Sequence, residues 1–130
     1  ETSNLWKCLW KNEIYKKLLS NKSEVNLGML YENAVATSLR ALGYDLYFNT
    51  CYDEDMKKTY ELDFLISSGN KIYPIEVKSS GYKAHKSLDV FIDKYRSRIG
   101  KSFVIYTKDY LKERDIVYLP VYFTQFLDEI

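Results

Sequence analysis

A chain of 130 residues with 46% hydrophobic and 28% charged residues suits one globular domain with one core, and argues against disorder. A net charge of +1 excludes a global electrostatic pull on nucleic acid, so any such binding needs a local basic patch. One histidine argues against a histidine-based zinc site, and no apolar run approaches the roughly 20 residues of a membrane span. From Asn4 to Leu19 the pairs Leu5/Leu9, Trp6/Trp10, Ile14/Leu18 and Tyr15/Leu19 keep helical spacing, with Ser3 or Asn4 as cap. This helix reads as a packing element, and Asn21–Asn26 as a polar connector. A second helix is expected from Leu27-Gly28 to Leu42, stopped by Gly43. Its stripes are Leu30/Ala34/Ser38 and Tyr31/Val35/Leu39/Leu42, with Glu32 one step from both. The spacing then predicts a strand over Tyr44–Thr50 and an irregular connection over Cys51–Thr59.

The stretch Tyr60–Ser80 reads as two strands joined at Ser67-Ser68-Gly69-Asn70, where glycine and asparagine tolerate positive φ. Strand alternation puts Tyr60, Leu62, Phe64 and Ile66 on one face and Glu61 and Asp63 on the other. In the second strand Ile75, Val77 and Ser79 share a face, and Glu76 and Lys78 point the opposite way. If the strands are neighbours, Asp63, Glu76 and Lys78 converge. Two carboxylates beside an ammonium in otherwise apolar strands are costly to bury without a purpose.

Gly81–Lys86 is a loop rich in lysine and carrying His85; Ser87 is expected to cap a helix from Leu88 to about Ile99. Lys101–Thr107 contains a buried strand, Ile116–Leu119 a short one stopped by Pro120, and Val121–Leu127 a terminal helical turn. Helix, strands and a crossover helix back to a strand imply an α/β fold with a mixed sheet containing a parallel pair. Cys8 and Cys51 have no metal-type spacing and read as free, cytosolic thiols, which makes the expected location cytoplasmic. The chain opens on Glu1 straight into helical pattern and reads as a domain cut from a longer protein.

Gly28-x-x-x-Glu32 on a helix, then Glu61-Leu62-Asp63-Phe64, then Ile75-Glu76-Val77-Lys78-Ser79-Ser80, resembles the PD-(D/E)XK nuclease superfamily. The wording around these residues, with Lys86-Ser87-Leu88 and Phe91, looks like one branch of it. That branch is the uncharacterised C-terminal domain that follows an AAA-type ATPase module in bacterial and archaeal proteins. The resemblance covers about Leu27 to Thr107, with Leu119-Pro120-Val121 also fitting. Leu62 stands where the family's name has proline. The resemblance implies a restriction-endonuclease-like core, a central mixed sheet flanked by helices. It divides the chain into residues 1–26, a helical connection from the ATPase, and residues 27–130, the nuclease-like domain. It further implies a catalytic set of Glu32, Asp63, Glu76 and Lys78, with Mg²⁺ or Mn²⁺ on Asp63 and Glu76. ATP would belong only to the preceding ATPase module, DNA would be the partner, and the oligomeric state stays open.

The residue types suit that chemistry independently. Phosphodiester hydrolysis needs a hard cation on carboxylate oxygens, and an ammonium two residues along one strand face offsets developing charge. Glu61 shares the Asp63 face but reads as exposed. Lys83 and Lys86, with His85, lie just past the site and are candidates for phosphate contact. Trp6 and Trp10 could stack on bases, but core packing or docking on the ATPase module is the better reading. Three functions compete: a metal-dependent DNA nuclease directed by an ATPase, a nuclease-fold module that binds without cleaving, and a regulatory module whose carboxylates serve structure alone.

Overall fold

A computed structural model describes residues 27–129. The helix expected over Asn4–Leu19, its tryptophans, Cys8 and the connector Asn21–Asn26 lie outside the described residues. Helix α1 runs Leu27–Ala41. Gly43, at φ +93°, and the hydrogen bonds from Gly43 N–H to Arg40 O and Tyr44 N–H to Leu39 O close its C-terminus as a glycine stop should. Strands β1 (Tyr47–Asp53), β2 (Lys58–Ser68) and β3 (Lys71–Val77) follow, then helix α2 (Lys86–Tyr95) with a 3₁₀ turn over Arg96–Arg98. Strands β4 (Ser102–Tyr106), β5 (Leu111–Glu113) and β6 (Ile116–Pro120) lead into a 3₁₀ segment, Val121–Glu129.

The six strands form one mixed sheet in the order β1-β2-β3-β4-β6-β5. Strands β1, β2 and β3 meander antiparallel, β3 pairs parallel with β4, β4 parallel with β6, and β5 antiparallel with β6. Helices cover both faces. Val35 and Leu39 of α1, with Leu127, pack on Phe64, Ile66, Ile75, Val77, Phe103, Ile105, Val117 and Leu119. Leu88 and Phe91 of α2 pack on Leu62, Leu65, Val104, Tyr106 and Tyr118. Strand β4 is therefore buried along its whole length, Phe103 and Ile105 under one helix and Val104 and Tyr106 under the other.

Three local expectations are corrected and one strand is added. Strand β1 begins three residues later than Tyr44 and runs through Cys51 to Asp53, because only Glu54–Lys57 is needed for the turn and Lys57 takes its left-handed position at φ +49°. Strand β5, masked in the sequence by charge, pairs with β6 across a tight turn at Arg114, φ +55°. Ser87 lies inside α2, whose N-cap position is His85. Finally, Leu62 does not share a face with Phe64 and Ile66: it packs under α2, they pack under α1. Tyr47 pairs with Leu65 but Asn49 with Leu62, so β2 carries one extra residue opposite Phe48. This bulge, at Asp63-Phe64, interrupts strict alternation.

Candidate functional site

The β2–β3 ladder ends at the pair Phe64/Ile75. Past that point the Val77 N–H donates to Asp63 Oδ2 at 2.7 Å, so a carboxylate spans the place where the strands part. On the other side of β3 the backbone stays pinned to β4, with Glu76 and Val77 registered on Val104 and Ile105 and the Lys78 N–H donating to Ile105 O at 2.8 Å. Ile75 and Val77 face α1, and alternation sends Glu76 and Lys78 the opposite way. Their side chains meet: Lys78 Nζ lies 3.2 Å from Glu76 Oε1.

Glu76 is only 6% exposed, and its Oε2 has no hydrogen-bond partner. Among the described residues, Asn49 Oδ1 is the other buried side-chain atom in that condition, and Asn49 pairs with Leu62 beside the bulge. Burial, reinforced by the charge of Asp63 and opposed by Lys78, pushes the Glu76 carboxyl up to about 7. Asp63 is raised by its own burial and by Glu61, against the pull of the Val77 N–H and Lys78. Glu32, on α1, is raised by burial and by the charge of Asp63, and its own charge in turn acts on Glu76. The charges of Asp63, Lys78 and Glu32 thus all act on the Glu76 carboxyl, a perturbed acid of the kind that concentrates at functional sites.

The remaining candidates divide. Glu61 is exposed and acts on Asp63 only through its field. Lys83 lines an open groove that Lys78 also lines, and Lys86 stands exposed on the first turn of α2, outside that groove. His85 is engaged at both ring nitrogens, Nδ1 with Asp89 Oδ1 at 3.0 Å and Nε2 with Tyr118 Oη at 2.9 Å, so it ties α2 to β6 rather than reaching for phosphate. Lys108, Tyr82 and Asn49 were not among the sequence candidates. Lys108 comes to the groove from the loop after β4, and nothing in the local sequence marks it.

Could these residues hold a cation? Among the described residues no three His, Cys, Asp or Glu side chains form a metal-holding group. Asp63 and Glu76 remain, and a small hard cation is commonly held by one or two carboxylates with water completing the shell. The unpartnered Glu76 Oε2 fits that demand, as a buried acceptor still lacking a positive partner.

Among the described residues no helix is long and apolar enough to cross a membrane. A search of curated proteins finds no match to this chain. A family model does match, over residues 27–124, from the first residue of α1 to the first turn after β6 and so across the whole sheet and both helices. The chain belongs to the family described as Domain of unknown function (DUF4143).

Proposed function

We propose that the domain hydrolyses phosphodiester bonds of nucleic acid, with Mg²⁺ or Mn²⁺ held by Asp63 and Glu76. The observation that carries this reading is the buried Glu76 carboxylate, one oxygen on the Lys78 ammonium and the other without a partner, beside a second carboxylate. A surface ion pair would not need burial, and a purely structural buried pair would satisfy both oxygens. The cation, when bound, would neutralise phosphate charge and polarise the scissile group. Asp63 and Glu76 supply hard oxygen ligands, the Lys78 ammonium sits where it offsets charge growing on the phosphate, and Glu32 sharpens the negative field that draws the cation in. The resemblance to PD-(D/E)XK nucleases supports the same assignment, and the ATPase module expected upstream belongs to this proposal as the part that presents substrate.

The test is cleavage of plasmid, linear and branched DNA with Mg²⁺ or Mn²⁺, with and without ATP, using the longest natural form of the protein. Lys78→Ala should lower the rate about 10²–10³-fold, as loss of one well-placed electrostatic stabiliser does, while calorimetry shows cation binding retained. Asp63→Asn should remove cation binding. If Asp63→Asn binds cation as the wild type does, the carboxylates are not the site. The second reading, a module that binds nucleic acid or protein without cutting and regulates the ATPase, is favoured by one observation: no three-ligand group is assembled among the described residues. Intact DNA under all these conditions, with the Asp63- and Lys78-lined surface still binding nucleic acid or protein, would favour it.

A further inference from the structure

Beyond Glu76 the surface opens into a groove of about 460 Å³, lined by Lys78, Ser79, Ser80, Tyr82, Lys83 and Lys108 among others, with no carboxylate on its walls. Its aromatic floor is built rather than incidental. The Tyr82 ring meets Tyr106 at 5.0 Å and Tyr118 at 5.8 Å in T-shaped contacts, and Tyr118 is held by His85. Tyr106 donates to the Asp109 carbonyl, which ties down the loop that carries Lys108. Two ammonium groups lie over the Tyr82 ring, Lys108 Nζ at 5.0 Å and Lys83 Nζ at 6.0 Å from its centroid. Each is held there by the ring quadrupole, which lowers the cost of ordering two flexible side chains.

That arrangement decides how a nucleic acid could be read. An aromatic ring in a basic groove ordinarily offers a stacking platform for bases. Here the ring is packed against two other tyrosines and lysines lie over it, so what the groove offers a strand is the ammonium charge of Lys78, Lys83 and Lys108, which suits phosphates, rather than a free stacking face. We propose that the groove carries a nucleic-acid strand by its backbone alone, independent of sequence, along Lys108 and Lys83 to the Lys78 end beside Glu76. This rests on the reading that Glu76 and Lys78 act on a phosphodiester, and it adds Lys108 and Tyr82 as the parts that deliver one.

The experiment measures binding of fluorescent oligonucleotides of mixed, all-thymine and all-adenine sequence to the Asp63→Asn full chain in chelator, across a salt series. Lys83→Gln and Lys108→Gln should each weaken binding by one common factor on every sequence and flatten the plot of log affinity against log salt by about one lysine's worth. Lys108→Arg should bind as the parent does, and thermal midpoints should match among all variants. Unchanged affinity in both Gln variants overturns the proposal, and so does a loss confined to one base composition. Wild-type cleavage that is indifferent to both Gln variants sinks the groove and leaves the hydrolytic reading intact. Lysine-dependent binding with no cleavage does the reverse.

Discussion

Glu76 shows what a single residue costs this fold. Its carboxyl is raised to about 7, chiefly by burial, so the folded state holds a proton that the unfolded chain gives up near 4.5. The contribution is therefore fully present below about pH 4.5 and is lost as pH rises through about 7, a fall of up to about 3 kcal/mol. Asp63 and Glu32 are raised in the same sense and add to the same slope. Glu76→Gln removes the largest of these. Urea midpoints at about pH 5 and about pH 8 should show the wild type weakening at the higher pH, and the variant weakening less and standing above wild type there. Equal pH slopes would mean that the carboxylate is better solvated than its burial indicates.

Among the elements, the β2–β3 hairpin matters most, because it brings the Asp63 carboxylate onto the Val77 N–H, next to Glu76. It turns in two residues, Gly69-Asn70, with Gly69 at φ +60° and nothing within 4 Å of where a Cβ would stand. Gly69→Ala therefore meets no clash and pays only the left-handed backbone cost, about 1–2 kcal/mol. Chemical denaturation should show that loss with an unchanged m-value, since the surface exposed on unfolding stays the same. A stability equal to wild type would mean that the turn can relax out of its left-handed conformation. The bulge is the second device. Its extra residue lets Leu62 and Leu65, three apart, both pack under α2, and leaves Asp63 free to reach the Val77 N–H. Bulges beside functional sites re-aim a side chain in this way.

In the molecule as a whole, two apolar layers hold one sheet, and the candidate site lies where strands β2 and β3 part. Leu39 and Phe91, 0% and 1% exposed, anchor the two layers from α1 and α2. Leu39→Ala should cost about 2–5 kcal/mol and Phe91→Ala about 3–5, through lost burial and the cavity left behind. Because β4 belongs to both layers, each variant should still unfold in one transition by circular dichroism and fluorescence alike. Two separated transitions would mean that the layers are independent. The sheet's two edges differ: β5 is three residues of Leu-Lys-Glu, short and charged, whereas β1 exposes Tyr47, Phe48 and Tyr52.

By itself the sequence determined the elements whose signals are local. Helix α1 and its glycine stop, the β2–β3 hairpin, the buried strand of β4 and the mixed sheet with a parallel pair all follow from periodicity, turn chemistry and the crossover rule. That Glu76 and Lys78 share one strand face is legible for the same reason, being two residues apart; that they pair is read only from the structure. Tertiary structure alone decided what depends on distant partners. The ends of β1 and the short strand β5 are set by pairing, which overrides their charge and polarity. The bulge at Asp63 exists only against β1, so strict alternation misplaced Leu62. His85 is spent on Asp89 and Tyr118, and Lys108 stands beside Tyr82, because the chain folds back across 33 and 26 residues respectively. The proton affinity of Glu76 belongs to the same class: desolvation is a property of the packed sheet, and no residue carries it in its name.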